Sequence, residues 1–419
     1  MMRRKVAVTG VGVVSPLGTD LTGIWRRWEL GEGAVRSVDF AEREAFPHSR
    51  CARTPDESWA ALVPNRRLVK FMNREAHMAA AAAAQALADS GAQEAYSPER
   101  KGIYMGTGLT SSEIGDLAPV LEASLGESGE FSCRRLGEEG LATCNPLLSF
   151  KLLPNMALCY ISMLYGIRGD NLVFNPWPGN AAQAIVAGAR AVSWGEADCA
   201  LVGGCDCKTH FIGFLTFSQM GLLSSAGECR PFERGRDGLV PGEGAAVLVL
   251  EEMDGARKRG ASIYAEICGF GEETDIRSPS LCPTRADILR NVMAKALPDA
   301  AAGPDDVDGI FCSAGGHPEG DLAEAEAIAS LFDPAPPLHS LKGLCGDMLA
   351  GAPSFALSLA AFALRNRLAP PVLRPRDPDP CIPSAVFRGD AIPGPPELVL
   401  VNALDLGQAK VSLAVRRVT

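Results

Sequence analysis

The chain lacks a basic excess. Its 40 Lys and Arg face 50 Asp and Glu, a net charge of −10 over 419 residues. Nucleic-acid binding wants a positive field, so it is excluded as a general function. No run of about 18 apolar residues occurs, so no segment reads as a bilayer span. No CxxC pair occurs among the 13 cysteines; Cys205 and Cys207 come closest. A structural zinc site clusters four ligands, and a disulfide framework belongs to a short secreted chain. Neither fits, so the thiols read as reduced and mostly buried in a cytoplasmic protein, with no metal or cofactor. No GxxxxGK[ST] is present, and no GxGxxG follows a strand, so the glycine-rich segments cradle no phosphate. Arg3-Arg4-Lys5 precedes the apolar stretch Val6–Val14, but Thr9, Gly10 and Gly12 break that stretch. A buried strand entering a glycine turn is expected there, not a signal peptide.

What is present is an ordinary globular composition, 47% hydrophobic and 21% charged, enough to bury a sizeable core. Short β-branched runs alternate with alanine-rich stretches. Strands are expected at Val6–Thr9, Gly102–Met105, Cys199–Val202, Ala245–Leu250, Tyr264–Cys268, Gly309–Cys312 and Leu398–Val401. Helices are expected at Glu75–Ser90, Ala181–Trp194, Ala286–Leu297, Ala323–Phe332 and Ser354–Asn366. The alternation is that of a layered α/β fold. One pattern occurs twice: a helix ending in Ala-Leu, a polar loop, then Gly102-Ile-Tyr-Met-Gly-Thr-Gly108 or Gly309-Ile-Phe-Cys-Ser-Ala-Gly315. It reads as duplication or as a coincidence of common α/β parts. Ala181–Val192 is rich in Ala, Val, Gly and Ile, so it is expected to be a central, buried helix. The proline-rich stretch Pro370–Pro396 reads as an ordered surface excursion.

Four stretches, in order, resemble the β-ketoacyl synthase (condensing enzyme) branch of the thiolase-fold superfamily. They are Val6–Gly18, Gly195–Gly204, Arg230–Ala245 and Gly320-Asp-Leu-Ala-Glu324. The resemblance implies a thiolase-like α/β fold, with duplicated βαβαβαβαβ halves in five α-β-α-β-α layers. The halves would be residues 1–255 and 256–419. It also implies dimers, and a cysteine nucleophile at a helix N-terminus with two histidines. Active members transfer an acyl chain from an acyl carrier protein, decarboxylate a malonyl extender and form a carbon–carbon bond.

Counting between Gly166-Ile-Arg-Gly169 and Gly195-Glu-Ala-Asp198 places the family's nucleophile at Pro178, which has neither a thiol nor a backbone N–H. No Cys, Ser or Thr lies between Gly169 and Val192, so no shift of register restores a nucleophile. The two histidine positions fall on Ser313 and Asp347. His317 lies four residues beyond Ser313 and is expected to point elsewhere. Lys342 and Glu324 match family residues beside the site and read as a structural ion pair. Cys312, Cys345, Cys205 and Cys207 are the other thiols near these motifs, and buried, inert roles are expected for them. The gating loop becomes Asn402–Ala409, with Leu404 and Leu406 where phenylalanines are usual.

Within the family, a member without the nucleophile resembles a chain length factor, the non-condensing subunit paired with an active ketosynthase in type II polyketide systems. Its side chains would form the floor of a shared acyl tunnel. Leu109, Leu147, Leu148, Leu404 and Leu406 are the candidate wall residues, although ordinary core or interface roles fit them equally. Those chain length factors that serve aromatic products carry glutamine where this chain has Pro178, so aromatic, polyene and aryl-polyene systems all stay open. Arg66, Arg67, Lys70 and Arg74 form a basic cluster, read either as a carrier-protein docking face or as a solvated helix face. Two further readings stay open: a malonyl-carrier-protein decarboxylase or acyltransferase with rebuilt chemistry, and a homodimeric carrier-protein-binding scaffold.

Overall fold

A computed structural model describes residues 4–38, 49–55, 59–109, 113–276, 281–282, 285–387 and 394–418. Ten strands form the main sheet: β1 (Val6–Val14), β2 (Lys101–Thr107), β3 (Asn171–Phe174), β4 (Cys199–Cys207) and β5 (Glu243–Glu252), then β6 (Ala265–Thr274), β7 (Gly309–Phe311), β8 (Leu338–His339), β9 (Leu398–Ala403) and β10 (Ala409–Arg416). Their spatial order is β8-β7-β9-β10-β6-β1-β5-β4-β2-β3. Read outward from the β1/β6 seam, the two halves have the same order. Each has two antiparallel pairs followed by two parallel ones. The halves join where Val6, Ala7 and Val8 pair with Ile267, Glu266 and Ala265.

The principal helices are α1 (Arg74–Ser90), α2 (Met156–Tyr165), α3 (Pro178–Trp194), α4 (Ala286–Asp299), α5 (Pro318–Leu331) and α6 (Ala352–Asn366). The central pair, α3 and α6, packs on strands of both halves. The outer helices each serve one half: α1 covers β1, β5 and β4, and α4 covers β6 and β10. The fold is therefore thiolase-like, with the central helix pair between the two halves of the sheet and the outer helices on their other faces. No helix among the described residues is long and apolar enough to cross a membrane.

Helix α1 shows why these residues take these forms. Asn73 caps it by accepting from the Ala76 amide at 2.8 Å. Six consecutive alanines, Ala79–Ala84, supply helix propensity and almost no bulk. Gly91, at φ +63°, ends it in the left-handed conformation. The thin face lets β1 come very close. A Cβ at Gly10 would run into the Ala86 carbonyl, and one at Gly12 into that of Ala82. Gln85 and Asp89 accept from the amides of Val13 and Val11, at 2.8 and 2.9 Å, beside a bulge in β1.

These glycines correct the expected turn after Thr9: the strand continues to Val14, and the glycines serve close packing. Strands β3, β8 and β10 were not anticipated. The first two are too short to show a period, and β10 carries a buried lysine, Lys410, in its interior. Within Pro370–Pro396, residues 388–393 lie outside the described residues.

Gly12→Ala should lower stability by about 2–3 kcal/mol through overpacking. Gly115→Ala, with nothing within 4 Å of its added Cβ and a helical backbone, should be neutral or stabilising by up to about 1 kcal/mol. Urea unfolding of both variants checks the contrast.

Candidate functional site

The site forms where the N-terminus of α3 meets segments of the second half. Trp177, extended at φ −105° and ψ 166°, precedes the helix, and Pro178 is its first residue. Proline suits that position because the first-turn N–H has no intrahelical partner. Here it also removes the donor that would face a ligand. The next residue closes the space, since a Cβ at Gly179 would collide with the Ala409 carbonyl. Gly407, at φ +81°, lies against the Trp177 ring with no room for a side chain.

Ser313 follows β7. Its amide donates to both carboxylate oxygens of Glu324, at 2.9 and 3.0 Å. Its hydroxyl oxygen accepts from the amides of Leu404 (2.8 Å) and Asp405 (3.2 Å). Its carbonyl accepts from Lys342 Nζ at 2.7 Å. Lys342 Nζ also donates to Asp347 Oδ2 at 2.9 Å and to Asp405 Oδ2. An ammonium has three donors, and all three are used. Burial opposes the charge on Lys342, but Asp347 and Asp405 outweigh it and hold the pKa well above the ordinary lysine value. Burial raises that of Asp347, while Lys342 pulls it back. Glu324 is pushed up to about 7 by burial, against the Ser313 and Asn402 donors.

Pro178 and Ser313 line one cavity of about 40 Å³, together with His339, Lys342, Cys345 and Asp405. Asp347 and Glu324 line a second, of about 20 Å³, with Leu404, Leu406 and His317. Spaces of this size hold one or a few waters, not an acyl chain. Among the described residues, no group of three or more His, Cys, Asp or Glu is placed to hold a metal ion.

Several expectations need correction. Lys342 and Glu324 are not an ion pair; each binds a different atom of Ser313. The cation's partners are Asp347 and Asp405. Asp405 was missed because only the leucines of its loop drew attention. His317 borders the smaller cavity, with Asp347 and Glu324, and is not among the residues that line the cavity at Pro178. Arg74 does not belong to a docking face. It turns inward to Glu243, whose fully buried carboxylate needs a countercharge, and to the Thr54 carbonyl at 2.7 Å.

Arg67 and Lys70 are exposed on and just after the short helical turn Arg66–Val69, while the side chain of Arg66 lies outside the described residues. Leu109 is half-buried against the cluster of Trp177, Phe217 and Leu406. Leu148 is buried and Leu147 half-buried, and neither borders the two cavities of the site. The thiol of Cys312 donates to the His339 carbonyl, and that of Cys345 to the Leu341 carbonyl. Burial raises Cys345 to about 12 and Cys312 well above its ordinary value. Cys205 and Cys207 pack in the core under α1, each with its pKa raised by burial.

Fold and site together define a thiolase-like protein of the condensing-enzyme type. The β-ketoacyl synthase N-terminal domain matches residues 3–256, and the C-terminal domain matches residues 264–375. The chain is 30% identical to 3-oxoacyl-(acyl-carrier-protein) synthase 2 of Coxiella burnetii over 428 residues, covering all of both chains. It is 30% identical to the mitochondrial 3-oxoacyl-(acyl-carrier-protein) synthase of Arabidopsis thaliana, over 90% of this chain and 85% of that one. Among solved structures, a β-ketoacyl synthase from Burkholderia phymatum matches with a TM-score of 0.85 at 26% identity, over 99% of this chain and 100% of that one. The ishigamide ketosynthase/chain length factor matches with a TM-score of 0.83, also at 26% identity, over all of both chains. The chain belongs to the β-ketoacyl synthase family.

Glu324 yields a pH prediction. Its folded pKa is raised above the ordinary 4.5, so the folded chain keeps a proton that the unfolded chain releases. That contribution is complete below about pH 4.5 and is lost as the pH rises towards 7. Glu324→Gln removes it. Relative to the variant, the wild type should lose up to about 3 kcal/mol between pH 4.5 and 7.5. Urea midpoints across that range test this; a pH-independent difference would count against a titrating Glu324.

Proposed function

We propose that this chain is a non-condensing chain length factor that pairs with an active ketosynthase in type II polyketide biosynthesis. One observation carries the reading. Counting between motifs puts the family's nucleophile at Pro178, the first residue of α3, and Gly179 beside it packs against the Ala409 carbonyl. A condensing enzyme needs a thiolate and an oxyanion donor at that point. In the same reading, residues 1–255 and 256–419 are the two halves of one unit. The product class, aromatic, polyene or aryl-polyene, is not specified by these residues.

Two features favour a partner. Strand β3 ends the sheet with an edge that is unpaired among the described residues, and Leu172 on it is 46% exposed. Around it in sequence, Ile114, Leu121, Leu141, Phe150, Leu153 and Met163 are large apolar side chains left in water. Exposed apolar side chains beside an open sheet edge are what a partner subunit would cover. In this reading Leu109, Leu147, Leu148, Leu404 and Leu406 are the leucines of the tunnel wall. Arg67 and Lys70 attract an acidic carrier protein. The buried thiols give no support to a rebuilt decarboxylase or acyltransferase.

Co-expression with a ketosynthase encoded beside this chain should give a stable 1:1 complex. A homodimer that ignores the synthase would contradict the reading. An acyl adduct on a cysteine, or carbon dioxide released from a malonyl carrier protein by this chain alone, would favour the enzyme instead. Leu147→Phe should leave the 1:1 complex intact and shorten the product by one or more extension units, read by mass spectrometry. Unchanged length in a series of Leu109, Leu147 and Leu148 variants would favour a scaffold.

A further inference from the structure

We infer that residues 404–409 form a fixed plug over the Pro178 site, not a gate that opens to admit an acyl chain. The loop is held at nearly every residue. The amides of Leu404 and Asp405 donate to Ser313 Oγ, at 2.8 and 3.2 Å. The Asp405 carboxylate pairs with Lys342, which is itself bound to Asp347 and to the Ser313 carbonyl. Lys410, 1% exposed, reaches back to the Asp405 carbonyl at 2.8 Å and to the Gly407 carbonyl. The Gly407 amide donates to the Leu281 carbonyl at 2.7 Å, and the Gln408 carbonyl accepts from the Asp275 amide at 2.9 Å.

The underside is equally closed. Leu404 and Leu406 are buried, Gly407 meets Trp177, and the Ala409 carbonyl meets Gly179 at the start of α3. Lifting the loop would expose two leucines. It would also strip Lys410 of two acceptors and leave the Asp347 and Lys342 charges in a partly opened apolar site.

The positions that carry histidines in the family are part of the fastening. Ser313 supplies an oxygen that accepts two loop amides, and Asp347 helps hold the lysine that grips Asp405. Loss of chemistry and closure of the loop thus come from the same side chains. The inference concerns this loop alone. It can fail while the partner reading stands, and the converse also holds.

Hydrogen exchange on the full-length chain, alone and in its complex, tests it. In the wild type, the amides of Leu404, Asp405 and Gly407 should exchange at least about 100-fold slower than unprotected amides, and adding octanoyl pantetheine should change nothing. Ser313→Ala should speed exchange at Leu404 and Asp405 about 10-fold or more, while the β9 amides of Val399–Val401 keep their protection. Asp405→Asn should act in the same direction by weakening the grip of Lys342. Wild-type exchange at the unprotected rate would overturn the inference. So would protection that changes on adding octanoyl pantetheine, or exchange unchanged in a folded variant. The wild-type measurements decide the matter even if both variants fail to fold.

Discussion

Lys342 sits in a nearly dry place with three donors and three acceptors, and much of the second half is arranged to make that possible. Its ammonium ties together the turn it starts, Asp347 five residues on, the carbonyl of Ser313 after β7, and Asp405 in the loop after β9. A lone buried ammonium would be costly to desolvate; a saturated one is tolerated, and breaking any contact leaves a charge behind. The cluster therefore fixes geometry more than it adds net stability. It sets the height of the loop over α3 and holds Ser313 where its amide meets Glu324.

That cluster lies wholly in the second half, and it meets α3 because the two halves come very close. The central helices α3 and α6 touch strands of both halves, and small residues keep the approach close. A Cβ at Gly106 would collide with Ala181, and one at Gly204 with the Ala350 carbonyl. Small residues in α3 thus bring Pro178, from the first half, against segments carrying Ser313 and Asp405 from the second. Glu243 repeats the logic elsewhere. Fully buried on β5, it recruits Arg74, Thr54 and Thr209, and its pKa falls to about 2 because these partners outweigh burial.

Much of the fold was legible because its signals are local. The apolar runs and alanine-rich stretches marked seven strands and five helices in their correct places, with boundaries that grew by a few residues. The repeated helix–loop–strand–glycine pattern foreshadowed the matching strand order of the two halves. Strands β3 and β8 were invisible because two to four residues carry no period. At the site, Pro178, Ser313 and Asp347 were found by position in ordered motifs. Asp405 was not, because its meaning lies in a partner 63 residues away. Arg74 was misread for the same reason: beside Arg66, Arg67 and Lys70 it looks like part of a surface patch, yet its partner Glu243 is 169 residues distant.

The sequence by itself determined the family. Ordered motifs and the absence of any Cys, Ser or Thr between Gly169 and Val192 are properties of neighbouring residues, readable before any fold is known. Only the tertiary structure decided which contacts fill the site. Which carboxylate holds Lys342, which way Arg74 turns and whether Gly12 bends or packs all depend on contacts between distant segments. Burial makes those choices, because an unpaired charge or an extra methyl group is costly only where water and free space have been removed.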